Sequence, residues 1–234
     1  MKTKFYCRSI KFLRLLARTF TKYYRVYSSK EMIVPAVYIV HHQNLLGPIS
    51  TMTWINVPLH IWALSPFCRQ DTCYYHYVNY TFTRRFGMPK LLASIIAFPV
   101  SFFVSKLLQS LQAIPVFRGS RDIITTIIQS ISALMNGESL LICPDINYTD
   151  TGSEMGEMYD GFLNLDKYYM KKTKQHIAFV PLLISKSTHR IYVGEEIYFK
   201  DNINFKKEKG EVFQRLKQEF SYLEEFSRDN KSVV

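Results

Sequence analysis

The chain has 234 residues, long for one small domain and short for two, so one large α/β domain is the simplest expectation. Apolar residues make up 47% and charged residues 21%, which excludes a globally disordered chain. The net charge of +11 is uneven: residues 1–30 carry nine Lys and Arg and no acid, whereas the other 204 residues carry 21 basic and 19 acidic side chains. The protein reads as a nearly neutral body with a basic arm.

Four cysteines (Cys7, Cys68, Cys73, Cys143) are too few for a disulfide framework, and their spacing matches no zinc frame. They read as free thiols. No secretory leader is visible, because the N-terminal apolar runs are broken by charges. The longest charge-free stretch, Leu91 to Ser105, is 15 residues with Pro99 in its middle, short of the roughly 20 that a spanning helix needs. The expectation is a cytoplasmic protein with no clear transmembrane span.

In chain order, the arm comes first. Lys4, Arg8, Lys11, Arg14, Arg18, Lys22 and Arg25 fall at helical spacing within an arc of roughly 120°, opposite Phe5, Tyr6, Ile10, Phe12, Leu13, Leu16, Phe20, Tyr23 and Tyr24, with Leu15 the one misfit. This predicts an amphipathic helix over residues 1–30 lying on an anionic membrane surface, ahead of a body over residues 31–234; the alternative, compatible with it, is that the apolar face docks on the protein's own core and the basic face is solvated. Nucleic-acid binding is disfavoured, since the body adds no basic patch and no recognition motif.

The body alternates strands and helices. Strands are predicted at Ile33–His41, Leu59–Leu64, Ala113–Phe117, Ser139–Cys143, Ile177–Ser185 and Arg190–Phe199. Helices are predicted at 70–86, 100–112, 120–136, 160–172 and 204–228. Continuous apolar strands between helices predict a mostly parallel central sheet with helices on both faces. In such sheets ligands bind beyond the carboxyl ends of the strands. Four polar or special clusters stand there: His41-His42-Gln43-Asn44, Arg118-Gly119-Ser120, Pro144-Asp145-Ile146-Asn147-Tyr148, and Val180-Pro181.

The order of these clusters resembles the lysophospholipid acyltransferase family, typified by 1-acylglycerol-3-phosphate acyltransferases. His42 lies where the N-H-x4-D motif has its histidine, with His41 for the Asn and Gly47 for the Asp. Gln112-Ala113-Ile114-Pro115-Val116-Phe117-Arg118 resembles G-x-I-P-V-x-R, with Gln112 in place of the glycine. Cys143-Pro144-Asp145-Ile146-Asn147-Tyr148 stands for F-P-E-G-T-R, with Tyr148 in place of the arginine. Met158-Tyr159-Asp160-Gly161 echoes a later F-K-x-G element, and Val180-Pro181-Leu182 matches V-P-V. The resemblance spans roughly residues 30–200.

That resemblance implies a glycerol-3-phosphate acyltransferase-like fold and an O-acyltransferase of phospholipid biosynthesis. The acyl group would pass from acyl-CoA or acyl-carrier protein, a co-substrate rather than a cofactor, to a hydroxyl of a lysolipid acceptor. His42 would be the general base. With Gly47 in the motif's acidic position, the histidine would be oriented by Asp145, by Asp160, or by a backbone carbonyl. Arg118 would grip an acceptor phosphate. Asn44, Pro144, Asn147, Tyr148 and Gly161 would line the acceptor site. Because Tyr148 replaces a cation, a glycolipid or polyol acceptor is an alternative, as is a non-catalytic lipid-binding relative. Residues 91–111 would form an acyl-chain groove or a membrane-facing surface. The acids Asp145, Asp150, Glu154, Glu157 and Asp160 read as a solvated loop rather than a metal site.

Overall fold

The computed structural model describes residues 8–152, 154–201 and 204–230. Its elements run α1 (Arg8–Phe20), β1 (Arg25–Tyr27), β2 (Val37–Val40), α2 (Leu46–Trp54), β3 (Leu59–Leu64), α3 (Gln70–His76), α4 (Lys90–Ser110), β4 (Ile114–Val116), α5 (Ile123–Met135), β5 (Ser139–Ile142), α6 (Asn164–Thr173), β6 (Phe179–Ser185), β7 (Arg190–Val193) and α7 (Phe205–Asp229). The strands pair mostly in parallel, as the alternating pattern predicts, and the chain divides into two compact units.

The larger unit holds residues 12–59 and 130–234. Its strands run in the order β1-β7-β6-β2-β5. Every pair is parallel except β6–β7, which is antiparallel. β2 is the central strand: Val37 pairs with Leu140 on one side and Phe179 on the other. Val37, Tyr38, Ile39 and Val40 are all buried, and so is every residue of β5 and β6. Strands covered on both faces need continuous apolar runs, and these have them. Because β2 and β5 run side by side in the same direction, their carboxyl ends lie together.

The smaller unit holds residues 60–129 with residues 8–11. β3 and β4 pair in parallel, Trp62 opposite Ile114 and Leu64 opposite Val116. α3 runs into a π-helical segment, Tyr77–Arg85, and this packs on α4. The contact uses a stripe of small residues, Ala93 and Ala97, against Val78 and Phe82. Small side chains let the helices approach closely. The opposite side of α4 exposes Leu91, Leu92, Ile95, Phe98, Phe102 and Phe103.

Three expectations change. The helix begins at Lys90 and runs through Pro99 to Ser110, so it is longer than the charge-free stretch alone. At 21 residues it is long and apolar enough to cross a membrane by length and composition, and only 22% of its most apolar window is buried. Second, the basic arm is helical only to Phe20; Arg25–Tyr27 instead extends beside β7, with the Arg25 N–H donating to the His189 carbonyl at 3.0 Å. Residues 1–7 of the predicted arm lie outside the described residues. Third, residues 46–54, unassigned by pattern, form α2.

α1 rests on the larger unit through its cations. The Arg14 guanidinium donates to the carbonyl of Ile55 at 2.7 Å and lies 3.4 Å from that of Thr53. Arg18 donates to Thr53 at 3.1 Å and lies over the Trp54 ring. These carbonyls end α2, where a helix leaves acceptors unsatisfied and carries partial negative charge.

Candidate functional site

The site lies where β2 and β5 end, in the larger unit. Beyond Val40 the chain continues as His41-His42, and beyond Ile142 as Cys143-Pro144-Asp145. His41 and Asp145 are both buried, at 3% and 4% exposure. One Asp145 carboxylate oxygen lies in close hydrogen-bond contact with Nδ1 of the His41 imidazole. The other oxygen accepts the backbone N–H of His42 at 3.0 Å. A single carboxylate thus ties two consecutive residues at the end of β2. Nε2 of His41 is buried with no hydrogen-bond partner.

This differs from the expectation that Asp145 orients the His42 ring. The carboxylate reaches the ring of His41 and only the peptide of His42, because parallel neighbours bring Asp145 beside the end of β2 rather than beside the loop that follows. Asp160, the other carboxylate considered, pairs with Lys209 at 3.0 Å.

The His42 ring is oriented by backbone. Its Nδ1 lies 2.9 Å from the Tyr148 carbonyl and 3.2 Å from the Leu45 N–H. Protonated, Nδ1 donates to Tyr148; deprotonated, it accepts from Leu45. Burial lowers the His42 pKa from its ordinary value; the Asp145 charge and the Tyr148 hydrogen bond oppose this, and His41 adds to the lowering. The imidazole therefore stays neutral near pH 7. The Tyr148 ring stands edge-on to it, centroids 6.1 Å apart.

The loop after His42 is strained. Gln43, Asn44 and Leu45 take positive φ of 45°, 51° and 79° in succession, a region costly for residues with a side chain. This triple reversal swings the chain back so that α2 starts against the end of β2. Gly47 makes that approach possible: a Cβ there would lie 1.9 Å from the His41 carbonyl oxygen. The resemblance puts an aspartate at this position; in this backbone no side chain fits. Pro48 sits in the first turn of α2, where its missing N–H costs nothing.

The remaining predicted residues fall as follows. Asn44 is exposed on the strained loop, and Pro144 is buried. The Asn147 side chain is turned onto its own loop, accepting from the Thr149 hydroxyl at 2.8 Å. Tyr148 is exposed beside His42. Gly161 opens the turn into α6, its carbonyl accepting from the Asn164 amide at 2.9 Å. Arg118 lies in the smaller unit, exposed in the turn after β4. The loop from Asp145 is bridged to Met158 and held by several anchors: Glu154 with Arg228, Glu224 accepting the Met155 N–H at 2.8 Å, and Lys186 donating to Thr151 at 2.7 Å. Among the described residues no cluster of His, Cys, Asp and Glu is placed to hold a metal ion. Cys68, Cys73 and Cys143 are free thiols, and burial pushes Cys68 and Cys73 up to about 11.

Pattern reasoning missed the role of His41 and the steric demand on Gly47. The signal for the first was a carboxylate and a histidine at the carboxyl ends of two apolar strands; for the second, a Gly-Pro pair directly after the histidines. No protein family, curated protein or solved structure matches the chain.

Proposed function

We propose that the protein is an O-acyltransferase working at a membrane surface, with His42 as the general base. The observation that carries this reading is the His42 imidazole at the carboxyl end of the central strand, with Nδ1 set against the Tyr148 carbonyl at 2.9 Å. Nδ1–H donation there leaves Nε2 with its lone pair, the form a general base needs. Nε2 takes the proton of an acceptor hydroxyl as that oxygen attacks the carbonyl carbon of an acyl thioester. The tetrahedral intermediate collapses, the C–S bond breaks, and the imidazolium returns the proton to the leaving thiolate. The products are an ester and a free thiol. Asp145, bound to the His42 peptide, holds the base in place and its charge favours the imidazolium that forms.

The donor is acyl-CoA or acyl-carrier protein, and the acceptor a lysophospholipid such as 1-acylglycerol-3-phosphate, in phospholipid biosynthesis. A second reading, a glycolipid or polyol acceptor, is favoured by the neutral side chains of Asn44 and Tyr148 that flank His42. The exposed apolar side of α4 suits a peripheral position on the cytoplasmic face of a membrane, because so large an apolar surface is seldom left in water.

The test is thiol release from acyl-CoA and acyl-carrier protein across a panel of lysophospholipid, glycolipid and polyol acceptors. Release with one acceptor class, lost in His42→Ala, supports the reading. No release with any acceptor overturns it, and lipid binding that survives would then mark a non-catalytic lipid-binding protein.

A further inference from the structure

α1 places its side chains in an unusual way for a helix lying on a protein. Ile10 is buried and Leu13 and Ala17 are half-buried, so this edge faces inward. Phe12, Leu15, Leu16 and Phe20 lie within about 140° of one another on the helix and face outward. Phe20 is 82% exposed and Phe12 63%. Tyr23 follows, also exposed, its ring edge-on to Trp54 at 4.8 Å.

The polar groups on this outward side are turned away from solvent. Thr19 lies within the apolar arc, but its hydroxyl donates to the Leu16 carbonyl at 2.8 Å, and that of Thr21 to Ala17 at 2.6 Å. Hydroxyls folded onto their own helix need no water partner. The cations lie on the flank. Half-buried Arg14 and exposed Arg18 reach the end of α2, and Lys11, Lys22 and Arg25 are also exposed. No acidic residue occurs in residues 1–30. An apolar strip bordered by cations only is complementary to an apolar layer bordered by anions.

We propose that α1 seats the protein in the interface of an anionic bilayer through Phe12, Leu15, Leu16 and Phe20, with Lys11 and Lys22 among the headgroups. The seat is apolar first and electrostatic second, since Arg14 and Arg18 are engaged on α2 and the basic stripe is not wholly offered to lipid. Long cationic side chains on the flank extend towards the phosphates while their stems stay in the apolar layer. Arg14 and Arg18 join this seat to α2, whose first turn lies against His41. The inference rests on the membrane-surface part of the reading above and not on acyl transfer.

The experiment uses the full chain and vesicles of phosphatidylcholine with phosphatidylglycerol, without any acyl donor. The triple variant Phe12→Gln, Leu16→Gln, Phe20→Gln replaces exposed side chains, so its thermal melting should match the wild type while vesicle affinity falls at least about tenfold. In 1 M salt, where the screening length is about 3 Å, the wild type should keep most of its binding. Tryptophan emission of Leu16→Trp, relative to wild type, should shift to the blue on vesicles and be quenched by brominated lipid. Equal binding by wild type and triple variant, full release by salt, or unquenched Leu16→Trp emission would each overturn the proposal. Vesicle binding as expected here, together with no thiol release in the separate acceptor-panel assay, would count against acyl transfer alone.

Discussion

The carboxylate of Asp145 closes on the imidazole of His41 and not on that of its neighbour His42. Its second oxygen takes the His42 peptide N–H, so the ring beside it is positioned through the backbone. Two strand ends are joined by this one buried side chain.

Asp145→Asn removes the charge that holds the His42 pKa up against burial. The His42 pKa in this variant should therefore lie below that of the wild type, and the acid limb of any thiol-release profile should move to lower pH. NMR titration of the His42 ring checks this independently of activity; an unchanged titration refutes it. Asp145→Ala leaves the buried His41 ring without its partner and should cost about 3–5 kcal/mol in denaturant unfolding.

His42 itself gives a pH signature. Burial lowers its folded pKa below the unfolded value, so the unfolded state binds the proton more readily. Its effect on stability is absent above the unfolded pKa near 6.5 and grows as pH falls towards the folded pKa. Wild-type stability should therefore drop more between pH 7 and pH 5 than that of His42→Gln. Parallel denaturant curves at the two pH values check the sign.

Gly47→Asp places an acid where the acyltransferase motif has one, and should nonetheless damage the protein. Its Cβ, like that of Gly47→Ala, would run into the His41 carbonyl. Overpacking of this kind costs about 1–3 kcal/mol or more. Both variants should melt lower than the wild type and neither should gain thiol release; a Gly47→Asp protein of wild-type stability would contradict the close approach of α2.

A second buried carboxylate ties α6 to the segment ahead of β6. Asp166, at the start of α6, accepts from the His176 ring at 2.9 Å and from the Ile177 N–H at 3.1 Å, ahead of β6. Burial raises its pKa despite those bonds. Asp166→Ala should destabilise by about 3–5 kcal/mol and leave the His42 titration unmoved, which calorimetry and NMR together resolve.

Most elements were legible in the residues because their signals are local. β3 occupies Leu59–Leu64 as its apolar run indicates, and α5, with its isoleucines three and four apart, differs from its predicted span only at the ends. α2 was not legible: residues 46–54 carry no assigned pattern, and Gly47 and Pro48 both sit in its first turn, one demanded by the His41 carbonyl and the other harmless there. β1 is three partly exposed residues that are extended only because β7 pairs with them.

Periodicity and composition, which act over a few residues, determined most of the helices and buried strands, and that polar groups gather at the strand ends. The pairing of strands separated by about a hundred residues determined the rest. The β2–β5 register put Asp145 on His41 rather than on His42, and the docking of Arg14 and Arg18 on α2 turned the apolar strip of α1 outward. Contacts of that range depend on where two distant segments meet, and no local pattern of residues encodes that.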